Sequence, residues 1–350
     1  MVGWIPKRRF GPIAIDWGRQ SLKLLQLTAD QATVCAAARV AFAGDDEADA
    51  QSRDAAAVET LRQSLEAHGF RGRSAVICLG ARELFVQNVR VAKTDEAVSV
   101  TVRQEAASRL PFSLNEAELR YLEAGDVRQG DRTKREVILM ACRQAALDRA
   151  LDVIEQAGLR PVAVDAEPLA LIRCYQHIYR REEDRQNAAL LIHLGASNTV
   201  VIIVQGDRVL FIKYLEVGGR HFDESAARLL KMKVADAALL RRHNGERRSD
   251  RQDPEIARTV SDAIRPVMDR LAGEISLCLR YHSVTFRGHK LTRLVLGGGE
   301  ATPNMAAWFE QRLDLPAEIA EPLRGCDVQL LPGRVPQWDV AAGMALRQID

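Results

Sequence analysis

Three short turns of this sequence carry the residue types that hold phosphate groups. Phosphate oxygens must approach backbone N–H groups closely, and glycine permits both that approach and positive φ angles. Hydroxyl side chains add further donors. Each turn alone is a weak signal, because glycine is common after strands, but the ordered set is more specific. The turns are Asp16-x-Gly18-x-x-Ser21-x-Lys23, Gly195-x-Ser197-Asn198-Thr199 and Gly297-Gly298-Gly299.

The elements around the first two turns repeat along the chain. Alternating apolar residues predict strands at 13–15, 21–27 and 33–43, followed by a helix at 55–68. The same order returns with strands at 188–192, 199–204 and 209–214 and a helix at 221–230. This internal duplication predicts two related lobes with a cleft between them. Two facing hairpins in such a cleft would hold a triphosphate from both sides.

A block with a different order of predicted strands and helices interrupts the first lobe. It reads as a strand at 85–91, a helix at 95–109 and strands at 117–124 and 135–142, joined by a polar loop at 126–134 and followed by a helix at 144–157. The prediction is therefore an α/β fold of two lobes with a small inserted α+β subdomain. The first lobe covers 1–85 and, with a linker, 161–186, and the inserted subdomain covers 86–160. The second lobe covers 187–350, with a helical subdomain at about 228–285. The charged stretch 180–186 is the best candidate for the linker, and the polar stretch 241–253 is predicted to be a loop.

Composition narrows the class of function. A chain of 350 residues suggests two domains. The formal net charge of +2, from 49 basic and 47 acidic residues, favours neither nucleic acid nor a membrane surface as a partner. No run approaches the roughly 20 apolar residues of a membrane helix, and none of the six cysteines forms a C-x-x-C pair. These features predict a cytoplasmic protein with reduced cysteines.

The order of the three turns resembles that of the actin-like ATPase superfamily, which includes actin, the Hsp70 chaperones and bacterial cell-shape proteins. Within it, the chain resembles the PilM family, the cytoplasmic actin-like component of type IV pilus assembly. The likeness covers nearly the whole chain. It is carried by IDWGRQSLKLLQL at 15–27, QEAASRLPF at 104–112, AGLRP at 157–161, the glycines at 218–219 and AAGMALR at 341–347.

This resemblance implies a fold of duplicated ribonuclease H-like domains and the cofactors ATP and Mg²⁺. Asp16 to Lys23 would be the first phosphate loop, with Asp16 near Mg²⁺ through water. Residues 195–199 would be the second phosphate loop, and 297–299 would bind adenosine. Glu167 would position the attacking water, a role that suits phosphoryl transfer.

The chain also departs from the family pattern. His193 stands where the second phosphate loop usually begins with Asp, and an imidazole cannot replace a hard carboxylate near Mg²⁺. The adenine-side Glu-x-x-Lys pattern is reduced to ALLR at 238–241. We therefore expect nucleotide binding with slow or absent hydrolysis. Simpler interpretations stay open: Asp16 caps its turn, Lys23 points to solvent, Glu167 only begins a helix, and His193 is a satisfied core residue. The glycines at 297–299 could likewise serve close packing alone.

The functional expectation is a scaffold of type IV pilus or related secretion machinery. It would dock a short cytoplasmic peptide of an inner-membrane partner, reach the membrane only through that partner and bind no nucleic acid. Nucleotide would bias closure of the lobes, and self-association is an added expectation. Two alternatives remain: a small-molecule kinase of the same superfamily, with Asp165 as its catalytic candidate, and a filament-forming actin relative.

Overall fold

Two five-stranded sheets form the frame of the molecule. The computed structural model describes residues 10–41, 50–93, 97–246, 253–286 and 290–348. The strands of the first sheet are β1 (Ile13–Trp17), β2 (Ser21–Leu27), β3 (Val34–Ala41), β4 (Ser74–Leu79) and β8 (Arg160–Ala166). Those of the second are β9 (Ala188–Leu194), β10 (Thr199–Gln205), β11 (Arg208–Leu215), β12 (Leu291–Gly297) and β13 (Ala317–Ile319).

The two sheets have the same topology. The first has the strand order β3-β2-β1-β4-β8 and the second β11-β10-β9-β12-β13. In each, an antiparallel meander of three strands supplies one side, and two further strands pair in parallel on the other. The internal duplication predicted from the sequence is therefore confirmed, although β13 was not predicted.

Helices cover the sheets and join the two lobes. They are α1 (Ala50–Ala67), α2 (Val98–Arg109), α3 (Gln144–Gln156), α4 (Glu167–Ile178), α5 (Glu182–Gln186), α6 (Gly219–Leu230), α7 (Val234–Glu246), α8 (Pro254–Thr285), α9 (Pro303–Leu313) and α10 (Asp339–Ala345). Helices α4 and α10 pack against each other, and Gly343 lies so close to Ala170 that an added Cβ would overlap the Ala170 carbonyl. One continuous hydrophobic core includes these helices and strands of both sheets.

The block between β4 and β8 contains a third sheet. Its strands are β5 (Phe85–Ala92), β6 (Ala117–Gln129) and β7 (Arg132–Arg143), in the antiparallel order β5-β7-β6, with α2 packed on one face. The polar loop predicted at 126–134 is wrong. The β6–β7 ladder continues until Gln129 pairs with Arg132. The tip of this hairpin is exposed to solvent, so polar residues can form its strands.

This third sheet also contacts the second lobe. The Asn88 side-chain amide donates to the Ile212 carbonyl of β11 at 2.7 Å, and Arg208 donates to the Ala124 carbonyl at 2.8 Å. The carboxylate of Glu136, which is fully buried, accepts from Arg90 at 3.0 Å and from the Tyr281 hydroxyl of α8. The inserted block, which interrupts the first lobe in sequence, is therefore also in contact with the second lobe.

Two further sequence expectations differ from the structure. Residues 241–253 were predicted to be a polar loop, but α7 continues to Glu246, so that Arg241 lies on a buried helical face. The remainder of that stretch, 247–252, lies outside the described residues. The charged linker at 180–186 contains the short helix α5. Within the described ranges, no helix has the length and apolar character needed to cross a membrane.

Candidate functional site

A cleft of about 450 Å³ lies between the two lobes. Its walls bring together residues from all three predicted turns, together with the predicted water-positioning residue. Those that line it are Asp16, Gly18, Ser21, Lys23, Glu167, Gly195, Ser197, Asn198 and Gly299. Thr199, Gly297 and Gly298, the other three predicted residues, are not among the lining residues.

The first turn is a tight hairpin closed by an ion pair. The Gly18 N–H donates to the Ser21 carbonyl at 3.1 Å, and an added Cβ at Gly18 would lie 3.1 Å from that same oxygen. Asp16 and Lys23 are directly opposite in the β1–β2 register, and Lys23 Nζ lies 2.5 Å from Asp16 Oδ2. Both side chains are only 11% exposed, so the expectation that Lys23 points to solvent is wrong.

The second turn rests on the start of α6. The Gly195 N–H donates to the Asn198 carbonyl at 3.0 Å, and the N–H groups of Gly219 and Arg220 donate to the carbonyls of Gly195 and Ala196 at 3.0 and 2.7 Å. The N–H groups at the start of α6 therefore support the turn by donating to the carbonyl groups of the turn. This arrangement leaves the turn to present side chains and amides to the cleft.

Two hydroxyl groups of the second turn have different surroundings. The Ser197 Oγ is buried and has no hydrogen-bond partner within the part of the chain that the structure describes, and Ser197 lines the cleft. The Thr199 Oγ1 instead donates to the Val217 carbonyl at 2.6 Å and is fully buried. A buried hydroxyl without a partner is costly, so Ser197 is suited to a polar ligand in the cleft. The predicted ligand contact of Thr199 does not agree with this geometry.

His193 is held between two carboxylates. Its Nδ1 lies 2.7 Å from Asp339 Oδ2, and its Nε2 lies 3.8 Å from Glu167 Oε1. Burial by itself lowers the pKa of His193, but the negative charge and hydrogen bond of Asp339, with the charge of Glu167, raise that pKa to about 9. The imidazole is therefore a cation at neutral pH, with both ring nitrogens protonated. The interpretation of His193 as a plain core residue leaves out its position at the cleft.

Glu167 begins α4 and is held from the other lobe. The Tyr214 hydroxyl of β11 donates to Glu167 Oε2 at 2.8 Å, while Oε1 faces His193. Burial raises the pKa of the Glu167 carboxyl, whereas the His193 charge and the Tyr214 hydrogen bond act to lower it. One oxygen of the predicted water-positioning residue is thus engaged by Tyr214, and the other faces a cation. This arrangement ties the lobes together across the cleft.

The glycines after β12 have separate roles. An added Cβ at Gly297 would overlap the Asp339 carboxylate, and Gly298, at φ 96°, lies against the Leu194 backbone. Both are needed for close packing. Gly299 lines the cleft, and its carbonyl accepts from Arg334. The packing interpretation thus suits the first two glycines, and the ligand interpretation suits only the third.

Sequence reasoning missed a buried ion network beside this turn. Arg241 Nε lies 2.8 Å from Asp223, and its Nη1 lies 2.5 Å from Glu300, with all three side chains at most 7% exposed. Arg241 is the last residue of the reduced Glu-x-x-Lys pattern, so a cation remains at that position. Arg242, next to it, reaches across the cleft and donates to the Gln20 side chain at 3.2 Å. The basic last position was the one signal that pointed to this network.

Asp165, the kinase candidate, has a structural role. Its side chain is 1% exposed and lies 2.7 Å from Arg173 and 3.3 Å from Arg347, and it accepts from the Ala166 N–H at 3.0 Å. Asp165 is not among the residues that line the cleft. A carboxylate fixed between two arginines outside the cleft is not placed to activate a substrate there.

The cleft is positively charged. Its lining residues include Asp16, Asp54, Glu83, Glu167 and Glu300, against the eight cations Arg19, Lys23, Arg39, Arg53, Arg82, Arg149, Arg242 and Arg334. Eight cations against five anions leave a net charge of +3, and the charge of protonated His193 is balanced by its partner Asp339. Such a cleft concentrates anions. The cations and the Ser197 hydroxyl fit an anionic ligand with several oxygen atoms.

A divalent metal ion does not fit these residues in the same way. Asp16, the predicted Mg²⁺ residue, is paired with Lys23, and the corresponding residue of the second lobe is the cation His193. Mg²⁺ requires hard oxygen ligands, and neighbouring cations repel it.

Comparisons with known proteins agree with this architecture. A family model described as "Type IV pilus assembly protein PilM" matches residues 14–349. A solved "PilM-PilN type IV pilus biogenesis complex" matches with a TM-score of 0.79 and 23% identity, over 98% of this chain and 99% of that one. The ethanolamine utilization protein EutJ of Carboxydothermus hydrogenoformans matches with a TM-score of 0.59 and 13% identity, over 99% and 92%.

A third solved structure extends the comparison. MreB5 of Spiroplasma citri, bound to AMPPNP, matches with a TM-score of 0.51 and 12% identity, over 97% of this chain and 95% of that one. These likenesses, all below 25% identity, concern the fold. They confirm the predicted actin-like arrangement of two lobes.

Proposed function

The chain belongs to the type IV pilus assembly protein PilM family, and from that premise we propose that it is a cytoplasmic nucleotide-binding scaffold of a type IV pilus or a related secretion machine. The observation that carries this proposal is the positively charged cleft, into which two duplicated hairpins project from opposite lobes. Its volume of about 450 Å³ lies within the range of small-molecule sites.

The proposed ligand is ATP. The Spiroplasma citri MreB5 structure, which shares this fold, holds the ATP analogue AMPPNP. In this chain the unpartnered Ser197 hydroxyl, the Ser21 and Lys23 side chains and the loop amides would receive the phosphates, and Gly299 leaves space on the adenosine side. The proposed site does not include Mg²⁺, because the residues around Asp16 and His193 do not fit it.

Hydrolysis would be slow or absent. Glu167 is the residue proposed to align an attacking water, and it is engaged by Tyr214 on one oxygen and faces His193 with the other. Phosphoryl transfer depends on an aligned water and on neutralisation of developing charge. Because Glu167 is held in this way, we favour a protein that senses bound nucleotide, and we do not expect an efficient ATPase. A phosphate-release assay should therefore give a rate near background for the wild type and for Glu167→Gln alike.

The proposed partner is an inner-membrane pilus assembly protein that offers a short cytoplasmic peptide. The solved relative is a complex of PilM with PilN, which supports a corresponding partner here. Through that partner the protein would be peripheral at the inner membrane. Contacts across the cleft, from Gln20 to Arg242 and from Glu167 to Tyr214, would let bound ATP bias lobe closure and thereby docking. Self-association is a further proposal.

Calorimetry on a matched pair of variants tests the cleft as the nucleotide site. Ser197→Asp places a carboxylate where the phosphates are proposed to lie and should abolish ATP binding. Ser108→Asp adds the same charge on the exposed surface of α2 and should leave ATP affinity unchanged. Circular dichroism melting of both variants checks the fold. Equal ATP affinity of wild type and Ser197→Asp would contradict the proposed site, and no ATP binding by the wild type at millimolar concentrations would contradict nucleotide binding altogether.

A further inference from the structure

The two hairpins place charged groups at corresponding positions. His193 precedes Gly195 by two residues at the end of β9, as Asp16 precedes Gly18 at the end of β1. In the first hairpin Asp16 is paired with Lys23 at 2.5 Å, and in the second His193 is paired with Asp339 at 2.7 Å. Each of these pairs therefore places one cation at the cleft: Lys23 is held by Asp16, and His193 is held between Asp339 and Glu167.

We propose that this cleft binds the polyphosphate of a nucleotide without a divalent metal ion, and that the Lys23 ammonium and the His193 imidazolium supply the charge that a metal would otherwise supply. The proposal rests on the proposed nucleotide-binding function and adds to it the means of recognition. It concerns two corresponding positions of this chain, where the first lobe carries the carboxylate Asp16 and the second lobe carries the cation His193.

Electrostatics supports a metal-free site. A divalent ion between the hairpins would lie near the Lys23 and His193 cations, while the carboxylate of Asp16 is occupied by Lys23 and that of Glu167 by Tyr214 and His193. The groups that face His193 are Asp339 from α10, Glu167 from α4 and Lys23 from β2. Asp339 and Glu167 keep the imidazole charged, so that it can donate from Nε2 toward an anion or to Glu167. Charge-assisted hydrogen bonds of this kind to phosphate are short and strong.

Calorimetry of ATP with purified wild-type protein, in EDTA and in Mg²⁺, tests the proposal. The wild type should bind ATP in EDTA with an affinity within about threefold of that in Mg²⁺. His193→Asp, which restores a carboxylate at that position, should lose at least about tenfold in EDTA and recover in Mg²⁺. His193→Gln, a neutral control, should lose affinity equally under both conditions.

The possible outcomes separate this inference from the function on which it rests. Wild-type binding that appears only with Mg²⁺ overturns metal-free recognition and leaves the nucleotide-binding proposal in place. No wild-type binding under either condition overturns both. If His193→Asp does not fold, because a third carboxylate joins Asp339 and Glu167, the double variant His193→Asp with Asp339→Asn removes one of them and gives the same comparison. A double variant that binds equally well in EDTA and in Mg²⁺ would count against the proposal that His193 replaces the charge of a metal ion.

Discussion

In the β1–β2 hairpin the acidic residue lies on the first strand and its cationic partner lies on the second strand, directly opposite in register. In the β9–β10 hairpin the first strand carries the cation His193, and its acidic partner Asp339 comes from α10, 146 residues away in sequence. The two hairpins share topology and the same spacing to a glycine. The two lobes therefore have the same backbone path, while their charged residues differ.

The difference has a structural consequence. The Asp16–Lys23 pair is local to one hairpin, so its formation requires only the correct strand register. The His193–Asp339 pair fixes the second hairpin to α10, which packs on α4 and on the first sheet. The charged pair of the second hairpin is therefore coupled to the contact between lobes, whereas the charged pair of the first hairpin stays within that hairpin. The predictions below test this asymmetry, in order of decreasing expected effect.

The largest effect should come from the support beneath each turn. An added Cβ at Gly218 would lie 2.6 to 2.7 Å from backbone atoms of the second turn, which cannot yield easily, whereas one at Gly18 would lie 3.1 Å from a single carbonyl. Gly218→Ala should lower the free energy of unfolding by at least about 3 kcal/mol, and Gly18→Ala by about 1 kcal/mol. Urea denaturation of both variants measures this difference. Equal losses would show that the two turns are supported alike.

The next effect concerns pH. The pKa of His193 is raised to about 9 in the folded state, above an unfolded value near 6.5. The pair with Asp339 therefore contributes its full stability below about pH 6.5, and that contribution is lost as pH rises through about 9. The loss should be on the order of 3 kcal/mol. Urea denaturation at pH 6, 7.5 and 9.5 should show a decline for the wild type that is absent in His193→Gln, and parallel declines would contradict the pairing.

A smaller effect, on ATP affinity, should distinguish Lys23 from Asp16, the two members of the first charged pair. Lys23→Met removes a cation from the phosphate side and should weaken ATP binding about 30-fold, or about 2 kcal/mol. Asp16→Asn keeps the size of the side chain but releases Lys23 for the ligand, so ATP binding in EDTA should stay equal or become tighter. Calorimetry of both variants provides the comparison. A loss of affinity in Asp16→Asn that appears in Mg²⁺ and not in EDTA would restore Asp16 as a metal-binding residue.

These contrasts also show what the sequence could predict. The strand order repeats in both lobes, and alternating apolar runs bounded by glycine mark it, so the duplicated fold and both turns were predictable. The position of Lys23 was not, because β2 is buried along its whole length and alternation does not distinguish its faces. The partner of His193 was not predictable either, since no local pattern links it to Asp339. Arg241 was assigned to a loop because a polar stretch does not reveal two buried carboxylates that compensate its charge.

The smallest effect concerns the first residue of the second strand in each hairpin. Ser21 begins β2 and lines the cleft, whereas Thr199 begins β10 and donates its hydroxyl to the Val217 carbonyl. Thr199→Val should therefore cost about 1 kcal/mol of stability, because it leaves a buried carbonyl without that donor, and should leave ATP affinity unchanged. Ser21→Ala should weaken ATP binding about threefold with little change in stability, because it removes one donor to the ligand. Urea denaturation and calorimetry on the same two variants measure both quantities. If Thr199→Val weakened ATP binding while stability held, the hydroxyl would have to leave Val217 when nucleotide binds, and the two hairpins would then contact the phosphates in the same way.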